Sequence, residues 1–224
     1  MTLNKSVKFY LIFILLLLLI TFYFSRNENF FLLLNYISKI KNENYFIAIF
    51  FLLLISILII IAGFVMPVLF INGLILGGNY GAIVSLLSIT IGSYIFFLIH
   101  KNNIPKKLFE IYKNNFNVLN KLINKNLLLS LIFIRFFGFG LPFVVHNLIP
   151  IFFKANKIYF LISTFFGSMP LMAQSYFIDG IANFLINEDK SLKNFLFQKD
   201  LTIPIIFILF ITIISVFIKI KYFK

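Results

Sequence analysis

One arginine stands inside an apolar run. Residues 127–150 read LLLSLIFIRFFGFGLPFVVHNLIP, and Arg135 shares the stretch with two glycines, two prolines and a His-Asn pair. An ionised side chain at membrane depth costs roughly 2.5–3.5 kcal/mol on insertion scales, so it faces a polar cavity or a partner. The planar guanidinium can pair bidentately with a phosphate. It can equally snorkel to an interface or cap the carbonyls of a broken helix. Pro142 and the glycines break the helix, and the freed backbone groups need burial in protein or contact with water. The stretch reads as a re-entrant hairpin with a polar site.

Around Arg135 the other polar candidates are few. Asn147 and its counterpart Asn72 could donate to a headgroup or tie hairpin backbone, and the residue types do not separate the two. His146 titrates near neutrality and could relay protons, although a lone histidine is more often structural. Gln174 and Asp179 fall near the end of a later apolar segment. Asp179 is the remaining candidate for a partner of Arg135 or a proton acceptor. There is no HExxH, GxSxG or Walker loop and no carboxylate pair, and seven acids in 224 residues leave a hydrolase little to work with. The expectation is a protein that is not an enzyme and needs no metal or other cofactor.

The elements that position these residues occur twice. Residues 63–93 lie over residues 138–168, 75 positions on, without a gap, and nine of the 31 positions are identical. GFVMPVLFIN (63–72) matches GFGLPFVVHN (138–147), which pairs Gly63, Pro67 and Asn72 with Gly138, Pro142 and Asn147. Farther on, Ser88, Gly92 and Ser93 match Ser163, Gly167 and Ser168. Apolar identities mean little in this chain, but matched Gly, Pro, Asn and Gly-Ser are hard to attribute to composition. Broken segments at corresponding positions of two halves are a transporter signature and point to the binding site. Pro67 and Pro142, at the two breaks, therefore join the candidate site with Arg135, Asn72 and Asn147.

Composition sets the class. The chain is 61 % hydrophobic and 12 % charged, with a mean hydropathy of +1.02. Soluble domains are nearer half apolar and a quarter charged, so an all-α integral membrane protein is expected. The net charge is +13, and the lysines sit mainly between apolar segments. Topology and anionic headgroups account for them better than nucleic acid does. Without cysteine there are no disulfides or thiolate metal sites.

Along the chain, residues 1–44 read as an uncleaved anchor helix (7–24) followed by a surface segment. Residues 45–100 form a first hairpin-plus-helix unit, with a spanning helix at 80–99. Residues 101–126 are a basic amphipathic loop with six lysines between 101 and 125. Residues 127–180 form the second unit, whose helix 157–178 should kink at Pro170. Residues 181–224 comprise a polar loop (183–200) and a last spanning helix (202–218). If both broken units enter and leave on one side, 13 basic residues face the cytoplasm and six face outward, which obeys the positive-inside rule. Both termini are then cytoplasmic, and the halves have opposite orientation.

The P-x4-N hairpin, the basic loop, Arg135, GFGLPF, Asn147 and the later FFGSMP together resemble the DedA-like membrane proteins. These are also called SNARE-associated or VTT-domain proteins, and the likeness is to their TVP/TMEM branch, over roughly 63–180. The resemblance implies an inverted repeat of two re-entrant loops facing each other across a bacterial inner membrane. It also implies movement of phospholipid or polyprenyl-phosphate headgroups, in some members proton-coupled, in support of envelope homeostasis. Membrane lipids would be the partners, and a homo-oligomer is compatible with the pattern. Two departures stand out. The first hairpin has no acidic residue, reading Val65-Met66-Pro67-Val68, and Pro150 stands where many relatives have glycine. A non-transporting scaffold for membrane integrity is the alternative, and a lipid-modifying membrane enzyme comes third.

Overall fold

The structure is a computed structural model, and it describes residues 45–102, 126–138, 141–186 and 199–222. The expected anchor helix 7–24, the surface segment and the basic amphipathic loop lie outside the described residues. The fold is all-helical, and no strand occurs among the described residues. In order come α1 (Tyr45–Ile61), α2 (Met66–His100), α3 (Leu127–Phe137), α4 (Phe143–Phe152), α5 (Lys157–Ser168), a 3₁₀ turn (Met169–Leu171), α6 (Met172–Ile186) and α7 (Lys199–Tyr222).

Helix α2 is the one element among the described residues that is long and apolar enough to cross a membrane. It is not straight. Gly77 has φ +79° and ψ 177°, a combination open to glycine and strained for other residues. The chain reverses there, because Asn72 Nδ2 reaches Ser85 Oγ at 3.1 Å. In a continuous helix thirteen residues would separate them by about 20 Å. α2 is therefore two antiparallel arms, α2a (66–76) and α2b (78–100). α2b alone measures about 34 Å, still the depth of a hydrocarbon core.

Each half begins with a helix, a glycine turn and a second helix. Gly63 (φ +93°) closes α1, and Gly138 (φ +67°) closes α3, its N–H donating to the Ile134 carbonyl at 3.0 Å. Pro67 and Pro142 then open α2a and α4, where a missing N–H costs nothing. Ile60, Val68, Leu69 and Ile89 form the core of the first half. Leu131, Ile134, Val145 and Ile149 form that of the second. The halves interlock, since Phe96 and Phe97 of α2b pack with Leu148 and Ile151 of α4 and Phe160 of α5.

One close helix contact is made twice at the same offset. A Cβ on Gly92 would lie 2.8 Å from Ile60 Cβ and 3.0 Å from the Ile57 carbonyl. A Cβ on Gly167 would lie 2.5 Å from Arg135 Cβ and 3.1 Å from the Ile132 carbonyl. Positions 57, 60 and 92 thus correspond to 132, 135 and 167. Gly92→Ala is expected to cost about 1–3 kcal/mol through overpacking, read as a lowered melting temperature in detergent.

Pro170, where the 157–178 helix is expected to kink, lies buried in the 3₁₀ turn that separates α5 from α6. The bounds of the polar loop differ from the sequence reading. The polar loop expected from Asn183 starts later, because Phe184, Leu185 and Ile186 carry α6 on to Ile186.

Candidate functional site

Arg135 sits in the last turn of α3, where the negative end of the helix dipole favours a cation. Only Gly167 opposite would allow its Cβ so close to α5. The side chain is 6 % exposed. Its Nη1 donates to Asn147 Oδ1 at 3.1 Å, and its Cζ stands 5.0 Å from the ring centre of Phe160, a cation–π contact. Nε and Nη2, buried as they are, have no hydrogen-bond partner among the described residues, and neither has Asn147 Nδ2. Buried charge is tolerated where its donors are satisfied, and here more than half of them are bare.

Arg135 lines a cleft of about 480 Å³ that both glycine turns also line. Gly63 to Pro67 contribute one side, and Gly138, Leu141 and Pro142 the other. His146 lines it as well, its Nε2–H donating to the Gly138 carbonyl at 3.0 Å, which holds the turn against α4. Ser168, Pro170 and Gln174 line it too, as do Ile208, Ile211, Thr212 and Ser215 of α7. No Asp, Glu or Lys lines the cleft among the described residues, so Arg135 gives it an uncompensated positive charge.

The candidates read from the sequence separate into two groups. Arg135, Pro67, Pro142, His146 and Gln174 meet at the cleft, and Asn147 stands behind Arg135 as its hydrogen-bond partner. Asn72 is fully buried elsewhere. Its Nδ2 donates to Ser56 Oγ and Ser85 Oγ, both at 3.1 Å, and its Oδ1 accepts from Ser56, so it ties α1, α2a and α2b together. Asp179 does not line the cleft. Its carboxylate accepts from the Gly78 N–H at 2.8 Å and so caps the N-terminus of α2b. The two relay candidates, His146 and Asp179, thus do not share the cleft.

Thr212 and Ser215 were not anticipated. Their only sequence signal is a Thr-x-x-Ser spacing, one face of a helix, in an otherwise apolar segment. Nothing in the chain says that this helix returns beside α3. Among the described residues no group of three His, Cys, Asp or Glu could hold a metal ion. What the arrangement offers is a buried guanidinium with unpartnered N–H donors, on a residue that lines a half-open cleft, the chemistry of an anion site. No family model, no curated protein and no solved structure matches the chain.

Proposed function

We propose that this chain is an integral membrane protein that moves phosphate-bearing lipid headgroups across the bilayer, with Arg135 holding the phosphate. One observation carries the reading: a buried arginine that lines a cleft and has two nitrogens with no hydrogen-bond partner among the described residues. Phosphate oxygens are acceptors only, and a guanidinium edge presents two parallel N–H groups to them. Asn147, held by Nη1, keeps that edge turned toward the ligand.

The distribution of side chains supports the membrane setting. Phe46 is 87 % exposed, and Leu58, Ile203, Ile213 and Phe217 are 66 % exposed. Ser56, Asn72, Ser85, Ser163 and Ser175 are at most 2 % exposed. Water penalises such an apolar exterior, and hydrocarbon does not. In the proposed arrangement the two halves enter a bacterial inner membrane from opposite sides as an inverted, re-entrant repeat, with both termini in the cytoplasm. The loop charges and the contacts repeated at 57/60/92 and 132/135/167 support that arrangement. Turns meeting near mid-membrane would thin the apolar barrier, and Arg135 would replace the water that a phosphate loses there.

The test is headgroup movement in liposomes containing the purified protein, with labelled phospholipid and polyprenyl phosphate in parallel. Wild type is expected to move at least one of them. Arg135→Ala removes two charge-assisted hydrogen bonds and should slow that movement about a hundredfold or more. Unchanged movement in the variant would sink the site. No movement of either lipid by folded wild type would leave the non-transporting scaffold in its place.

A further inference from the structure

The α7 lining of the cleft carries information about the rest of the ligand. The cleft holds about 480 Å³, within the usual range for ligand pockets and more room than a phosphate group fills. Beyond Arg135 and His146, its polar lining is Gln174, Thr212, Ser215 and Ser168, all uncharged. Thr212 is the most informative of them. Its hydroxyl donates to the Ile208 carbonyl at 2.7 Å, so its one proton is committed. In that rotamer its oxygen offers a ligand only acceptor lone pairs. Acceptors do not suit phosphate oxygens, so a donor group is the better match for Thr212.

Two kinds of donor occur on phospholipid headgroups, ammonium and hydroxyl. An ammonium would share the cleft with the Arg135 charge, and no carboxylate among the described residues lines it to offset that repulsion. A neutral hydroxyl meets no such opposition. We infer that the cleft takes an anionic phosphodiester with a hydroxylated, uncharged headgroup, the phosphate on Arg135 and a hydroxyl on Thr212, with Ser215 and Gln174 beside it. This rests on the reading of the cleft as a lipid-phosphate site and adds which headgroup fits it. It also makes α7 part of the site.

Binding to purified protein in nonionic detergent separates the contributions. The probes are dioctanoyl phosphatidylglycerol, phosphatidylethanol and phosphatidylethanolamine, which share the phosphodiester. Phosphatidylglycerol should bind about fivefold more tightly than phosphatidylethanol, the worth of one hydrogen bond. Phosphatidylethanolamine should bind about tenfold more weakly than phosphatidylethanol, because it adds a like charge. Thr212→Val keeps the side-chain shape and should erase the preference for phosphatidylglycerol over phosphatidylethanol, and Thr212→Ser should restore it. Equal binding of those two lipids by wild type would overturn the hydroxyl assignment. Phosphatidylethanolamine binding as tightly as phosphatidylethanol would overturn the exclusion of ammonium. Soluble glycerol phosphate binding as well as phosphatidylglycerol would overturn the lipid as the source of the polyol phosphate. Arg135→Ala tests the underlying reading separately. A variant that binds all three lipids as wild type does, with the glycerol preference intact, removes the phosphate site and leaves the hydroxyl selectivity standing.

Discussion

Arg135→Met is expected to raise the melting temperature and abolish lipid movement in the same protein. The guanidinium is 6 % exposed, with one hydrogen bond to Asn147 and one aromatic face at Phe160 to offset its lost hydration. Nε and Nη2 are left bare among the described residues. Taking an ion out of water costs several kcal/mol, and replacing buried ionic groups by apolar ones of similar volume gains about 1–4 kcal/mol in comparable cases. Methionine is long and flexible enough to fill the space beside Gly167 and Phe160. The losses are one hydrogen bond and one cation–π contact, each near 1 kcal/mol. The balance favours the variant. Thermal unfolding in detergent and the liposome assay, run on the same preparation, check both halves of the expectation. A lower melting temperature would mean that the charge is satisfied in place and is structural. Arg135→Lys should keep part of the activity, because it preserves the charge and loses the two-pronged geometry.

A charged residue that is expected to destabilise the resting protein and still occupies a buried position makes sense if a ligand completes it. This links the stability result to the functional one. It also explains why the two matched segments, each turned at a positive-φ glycine, differ in chemistry. Asn72 and Asn147 are identical residues at matched positions, both fully buried. Around Asn72 stand Ser56 and Ser85, which satisfy its amide. At the corresponding positions the second half has Leu131 and Phe160, and Arg135 replaces Ile60. The first half has a closed network that holds three helices, and the second has an open one. The matched glycines and prolines were legible in the sequence because backbone geometry restricts residue type: both Gly63 and Gly138 adopt positive φ. Whether an asparagine binds or braces was not legible. That depends on which side chains arrive from other helices, and those partners lie 12 to 16 residues away in sequence. Partners farther off were less legible still. Asp179 caps a helix 101 residues before it, and Thr212 faces a cleft built by residues more than 70 positions earlier as well as by its near neighbours.

Gly81→Ala should be the most damaging small substitution in the first half, and the sign of its effect reports the shape of α2. With the chain reversed at Gly77, Gly81 lies against the backbone of α2a. An added Cβ would collide with the Asn72 carbonyl oxygen and stand 2.7 Å from its carbon and 2.9 Å from Gly73 Cα. These are backbone atoms and cannot rotate away. The arms would have to separate, which stretches the Asn72–Ser85 hydrogen bond of 3.1 Å. The expected cost is about 3 kcal/mol, the upper end for overpacking, with the weakened hydrogen bond added. Gly78→Ala offers a comparison, because the added Cβ would meet the Tyr176 ring at 2.5 Å, a side chain that can turn aside. Its cost should be smaller, even though Gly78 is next to the reversal. In a straight α2 the expectation changes sign. Position 81 would then stand about 13 Å along the axis from position 72, and glycine to alanine inside a helix stabilises by about 1 kcal/mol. A Gly81→Ala protein that melts above wild type would therefore rule out the hairpin, and with it the turn that holds Asp179. A large drop, exceeding that of Gly78→Ala, would place α2a and α2b side by side.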